Sequence, residues 1–117
     1  MMKKSDQEAL TMKTIILACS AGMSTSILVS KMKKEAEARS LEIDIIAIPE
    51  STIKDELSGI SDHVIAILLG PQVRMRKNAV AEIAAPYSIP VDVIDTVAYG
   101  RGNGPAVLDQ ALAMSSN

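Results

Sequence analysis

Apolar positions along this chain follow two rhythms, and they alternate. Thr14–Ala18 and Val64–Leu69 are nearly unbroken apolar runs, of the length and continuity of strands buried on both faces. Leu41–Ile48 and Val91–Ile94 are mixed, with Glu42, Asp44 and Asp92 among their apolar residues. Between these lie stretches with helical spacing. Leu28, Met32 and Ala36 fall four apart on one face, with Lys31, Lys33, Lys34, Glu35 and Glu37 on the others. That pattern predicts a helix from about Ser24 to Ser40. Pro49 closes the second strand. Thr52 and Asp55 stand at capping-box spacing for a short second helix that Gly59 can end. Gly70-Pro71 opens a third helix, limited by Pro86. Pro90 leads into the fourth strand. After a glycine-rich loop, Gly104-Pro105 opens a last helix with the stripe Val107, Leu108, Ala111 and Leu112.

Strands alternating with helices predict a parallel sheet joined by crossovers. The charges on strands two and four mark them as edges, and the apolar runs place strands one and three inside. With right-handed crossovers the order is 2-1-3-4. This is a flavodoxin-like, doubly wound α/β fold with four parallel strands and helices on both faces. Ligands bind such sheets outside the carboxyl ends of the strands, where the winding reverses. Here that point lies between strands one and three. Residues 13–114 read as one domain, 1–12 as a flexible N-terminal tail and 115–117 as a C-terminal tail.

Composition narrows the function. A chain of 117 residues has room for one core. Its only aromatics are Tyr87 and Tyr99, and its formal net charge is −2. Base stacking wants aromatics and phosphate tracking wants positive charge, so nucleic acid is not the expected partner. No apolar stretch approaches the ~20 residues of a membrane span, so no direct membrane insertion is expected. Ile16-Leu17-Ala18-Cys19 faintly resembles a lipoprotein cleavage site, but its apolar run is too short and Asp6 and Glu8 lie upstream, where a signal is basic. The expected location is cytoplasmic. One cysteine forms no internal disulfide. His63, the only histidine, falls at the amino end of strand three, away from that cysteine, so neither a metal site nor a cofactor is expected.

Cys19 ends the first strand and opens the segment Cys19-Ser20-Ala21-Gly22-Met23-Ser24-Thr25-Ser26, at the switch point. A helix N-terminus presents unpaired N–H groups and about half a positive charge, which together hold a phosphate. Gly22 permits a left-handed turn or a close approach to an anion. Ser20, Ser24, Thr25 and Ser26 add hydroxyls, and the same field favours thiolate over thiol at Cys19. A free cysteine is also a common small buried hydrophobe, and a Ser/Gly/Thr loop is a common turn with a cap. The residues alone leave both readings open.

The segment Cys19–Ser26, followed by Leu28-Val29-Ser30-Lys31-Met32, resembles the lactose/cellobiose (chitobiose) family of enzyme IIB components of the bacterial phosphotransferase system. Leu68-Leu69-Gly70-Pro71-Gln72, Val93-Ile94-Asp95 and Tyr99-Gly100 match in order downstream. The resemblance spans about residues 13–114. It implies a phosphoryl carrier that accepts the group from a phosphohistidine on its enzyme IIA partner. The carrier then passes it to a sugar (cellobiose, lactose or chitobiose class) bound by membrane enzyme IIC. It implies Cys19 as the phosphocysteine and Ser20–Ser26 as the loop around the phosphoryl oxygens.

Three other functions set the contrast. A low-molecular-weight tyrosine phosphatase also places a cysteine after strand one, but needs arginine six positions on, where this chain has Thr25. It also uses an Asp-Pro acid, and none occurs here. Without either, water has less help in cleaving phosphocysteine. A flavodoxin-like FMN module stacks aromatics on its flavin, and only Tyr99 is suitably placed. A receiver domain needs an acidic cluster after strand one, where Leu17-Ala18-Cys19 stands.

Gln72, Asp95 and Tyr99 fall on the same edge as rim or partner contacts. Each has an ordinary alternative: a helix-start surface residue, a turn cap and half-buried packing. Arg74, Arg76 and Lys77 form a basic cluster near that edge, facing either a partner or solvent.

Overall fold

The structure, a computed structural model, describes residues 13–20 and 25–115. Its strands are β1 (Lys13–Cys19), β2 (Ile43–Pro49), β3 (Val64–Leu69) and β4 (Val91–Val93). They form one parallel sheet in the order β2-β1-β3-β4, as the edge charges predict. The helices are α1 (Thr25–Ala38), α2 (Ile53–Ile60), α3 (Lys77–Ala84), α4 (Thr96–Gly100) and α5 (Gly104–Ser115).

The two central strands send alternate residues to opposite faces, the period-two rule of a pleated strand. Ile15 and Leu17 of β1, with Ala66 and Leu68 of β3, meet Leu28, Met32 and Ala36 of α1 and Val107, Leu108 and Ala111 of α5. Ile16, Ala18, Ile67 and Leu69 meet Ile53 and Leu57 of α2 and Val80 and Ala84 of α3. Fully buried side chains of this size contribute roughly 1.5–3 kcal/mol each, so the aliphatic core carries the fold without large aromatics. A bulge at Thr14/Ile15 shifts the β1–β3 register near its start.

Gly104 sets how closely α1 and α5 approach. A β-carbon there would sit 2.6 Å from Lys31 Cβ and 2.8 Å from the Lys31 carbonyl carbon, so only glycine fits. Arg39 joins the same two helices, donating to Glu35 at 2.7 Å and to Asp109 at 2.6 Å. These bonds raise the Arg39 guanidinium above its usual value, the Asp109 contact most, and the arginine holds the Asp109 carboxyl below the usual carboxylate range.

Several boundaries differ from expectation. Glu42 precedes β2, and the edge charge within that strand is Asp44. Thr52 makes no capping bond to α2; its hydroxyl donates to the Pro49 carbonyl at 2.8 Å, inside a 3-10 turn over Glu50–Thr52. Gly59 lies within α2, which runs on to Ile60. The helix expected at Gly70-Pro71 starts as a 3-10 segment, Pro71–Arg76, kinked at Val73 before α3 begins at Lys77. Pro86 sits in a 3-10 turn, Ala85–Tyr87, beyond the end of α3. The last helix extends to Ser115, which the sequence reading assigned to the tail. The N-terminal tail, residues 1–12, lies outside the described residues.

Candidate functional site

Cys19 is the last residue of β1 and is 3% exposed. Its Sγ lies 3.6 Å from Oγ1 of Thr25, the first residue of α1, which is fully buried. The thiol therefore meets the opening turn of α1, where helix amides carry partial positive charge. Ser20 and Ser26 are exposed on either side. Ala21, Gly22, Met23 and Ser24, assigned to the same loop, lie outside the described residues. Thr25 occupies the position where a tyrosine phosphatase carries arginine. A hydroxyl, not a guanidinium, therefore faces Sγ.

The neighbouring strand end is laced to β1. The Gly70 amide donates to the Ala18 carbonyl at 2.8 Å, and the Ile94 amide to the Leu69 carbonyl at 2.8 Å. A β-carbon on Gly70 would lie 2.8 Å from Gln72 Oε1 and 3.8 Å from Cys19 Cβ. The Gln72 amide thus folds back over Gly70. Its Nε2 donates to the Tyr99 hydroxyl at 3.0 Å. The structure so joins two of the three rim residues across a separation of 27 positions.

Asp95 serves α4. Its Oδ2 accepts the Ala98 amide at 2.9 Å, making it the N-cap of the helix that carries Tyr99. The turn-cap alternative is the one found. The basic cluster is largely engaged: Arg76 pairs with Glu50 at 3.3 Å, Lys77 with Asp92 at 3.2 Å, and Arg74 donates to the Pro71 carbonyl. His63 lies in a 3-10 turn at the amino end of β3. Among the described residues no three His, Cys, Asp or Glu side chains gather as a metal site, and no helix is long and apolar enough to cross a membrane.

Sequence reasoning missed Gln110. Its Nε2 donates to the Val93 carbonyl at 2.8 Å and its Oε1 accepts the Asp95 amide at 3.0 Å, fixing the end of β4 on α5. A lone glutamine on a helix gives no periodic signal, so nothing in the pattern marked it.

The sequence model of the family described as "PTS system, Lactose/Cellobiose specific IIB subunit" matches residues 14–110. The chain belongs to this family of IIB subunits. It is 41% identical over 106 residues to the oligo-beta-mannoside-specific EIIB component of Bacillus subtilis, covering 91% of this chain and 99% of that protein. It is 44% identical over 100 residues to the galactose-specific EIIB component of Lactococcus lactis subsp. cremoris, covering 85% and 93%. Among solved structures, the cellobiose-specific IIB component from Borrelia burgdorferi shares 39% identity with a TM-score of 0.69, covering 90% of this chain and 93% of that one. The lactose-specific IIB domain from Streptococcus pneumoniae shares the fold at TM-score 0.74 and 16% identity, over 87% and 96% of the chains. The IIB subunits of this family are phosphotransferase components of sugar uptake systems and work with IIA and IIC components. The resemblance read from Cys19–Ser26 and the downstream segments therefore names the right family.

Proposed function

We propose that Cys19 is the phosphoryl carrier of this IIB subunit. The observation that carries the reading is the placement of the chain's only thiol at the sheet's switch point, 3.6 Å from the hydroxyl that opens α1. The Cys19 thiolate attacks phosphorus on the phosphohistidine of enzyme IIA. An S–P bond forms and the P–N bond breaks, its electron pair staying on the imidazole nitrogen. Loop amides and hydroxyls of Ser20–Ser26 hold the phosphoryl oxygens. A hydroxyl of the sugar bound by IIC then attacks, forming an O–P bond, releasing its proton and restoring the thiolate. The transition state of such transfers is loose, so positioning and electrostatics supply most of the catalysis.

Both handovers use the carboxyl edge of the sheet, so IIA and IIC bind in turn, on the cytoplasmic side of the membrane. Relatives of similar identity are named for oligo-β-mannoside, galactose and cellobiose. Sugar choice in this reading rests with IIC, and the chain serves a sugar of the cellobiose/lactose class.

The test is labelled phosphoenolpyruvate with the general phosphotransferase proteins and a IIA component. The label is expected on Cys19, lost by Cys19→Ser. A serine variant that accepts the label at the wild-type rate overturns the assignment.

A further inference from the structure

The Gln72–Tyr99 pair has chemistry beyond a rim contact. A primary amide carries two N–H donors on one arm and an acceptor oxygen on the other. Here Nε2 donates to the Tyr99 hydroxyl while Oε1 is turned towards Gly70, where a β-carbon would lie 2.8 Å from Oε1 and 3.8 Å from Cys19 Cβ. An acceptor oxygen facing a phosphoryl dianion is repelled. Turning the amide end for end brings the N–H donors to that side and Oε1 to Tyr99. The hydroxyl is donor or acceptor as required, so the hydrogen bond survives the turn. A side chain on Gly70 would block the fold-back, because its β-carbon would lie only 2.8 Å from Oε1.

We propose that Gln72 binds the phosphoryl group on Cys19 by turning its amide, and that Tyr99 is the positioning residue that accepts both orientations. The proposal rests on Cys19 as the phosphocysteine. It gives the site a neutral donor in place of any charged one. Gln72 steadies the phosphoryl oxygens while adding no formal positive charge, which suits a group that must be held and then passed on.

The test combines side-chain amide resonances with transfer rates in the full chain. On phosphorylation by IIA the Gln72 NH2 resonances are expected to shift, while those of Gln110, bound to Val93 and Asp95, stay in place. Gln72→Leu is expected to lower the rate of phosphoryl acceptance by about ten- to a hundredfold, the worth of a hydrogen bond to a charged group. Gln72→Glu should fall further, because a carboxylate has no donor to turn inward. Tyr99→Phe should slow the wild type severalfold and the Gln72→Leu chain not at all, a coupling that a packing role does not produce. Unmoved Gln72 resonances, or equal rates for the Leu and Glu variants, overturn the proposal even when label still reaches Cys19. A wild-type chain that takes no label overturns the carrier reading itself, and this proposal with it.

Discussion

The two ends of the sheet differ in what their helices offer. At the carboxyl end helices begin. Cys19, Thr25, Gly70, Gln72 and Tyr99 converge there, and neither α2 nor the 3-10 segment after β3 has a side-chain cap on its first amides. At the amino end α1 and α3 finish, and their carbonyls are closed by the backbone. Leu41 N donates to Ala36 O and Ser40 N to Glu37 O; Ile89 N donates to Ala84 O and Ser88 N to Ala85 O. These are left-handed caps with φ of 58° at both Ser40 and Ser88. The amino end also holds an open cleft of about 570 Å³, lined by Val64, Ile89, Asp92 and Met114 among others. Its one carboxylate, Asp92, already accepts the Val93 amide and faces Lys77. This cleft and the Cys19 thiol thus fall at opposite ends. A parallel sheet with helical crossovers puts helix starts at one end only, and anion chemistry follows helix starts rather than volume.

Changes at the two ends should therefore separate function from stability. The largest effect belongs to Cys19→Ser, expected to lower label acceptance by at least about a thousandfold with an unchanged circular dichroism spectrum. Gly104→Ala tests the carboxyl end for purely structural demand. Forcing a methyl between α5 and the Lys31 backbone should cost about 1–3 kcal/mol in urea unfolding. Asp95→Ala removes the cap of α4 and should cost about 1 kcal/mol. It should also slow transfer, because α4 positions Tyr99; an unchanged rate would detach Tyr99 from the site. At the amino end, Ser88→Gly relieves a left-handed serine and should raise stability by about 0.5–1 kcal/mol with no change in transfer.

The smallest effect concerns pH. The Asp109 carboxyl is held below the usual range by Arg39. Its contribution is present above the ordinary aspartate value of about 3.9 and is lost as pH falls through the lower folded value. Asp109→Asn should accordingly flatten the acid limb of a thermal-melting series and leave neutral-pH transfer untouched.

Much of this division was legible in the sequence because strong signals carried it. Two apolar runs and the charges of strands two and four fixed the strand order, and Cys19 fell at the switch point by position alone. What escaped had weak local signals. Five-residue α4 is shorter than two helical turns, so periodicity has nothing to count. The 3-10 segment after Gly70 looks like a helix start because Pro71 suits both. The Gln72–Tyr99 bond joins residues 27 positions apart, and no spacing rule reaches that far. Gly104 read as a helix opener, whereas its burial against Lys31 comes from the crossing of α1 and α5.

The side chains along the outer strands bear on stray association with other chains. Asp92 Oδ1 accepts the Val93 amide, Gln110 accepts the Asp95 amide and donates to the Val93 carbonyl, and Asp44 Oδ1 accepts the Ile45 amide. Those backbone groups are the ones another extended chain would seek when adding itself to a sheet. Self-bonding by the protein's own carboxylates and glutamine occupies these rungs against a passing polypeptide. The acids that betray the edges in the sequence thereby also guard them, and a IIB subunit, of a family that works with IIA and IIC components, is protected from unwanted company at its flanks.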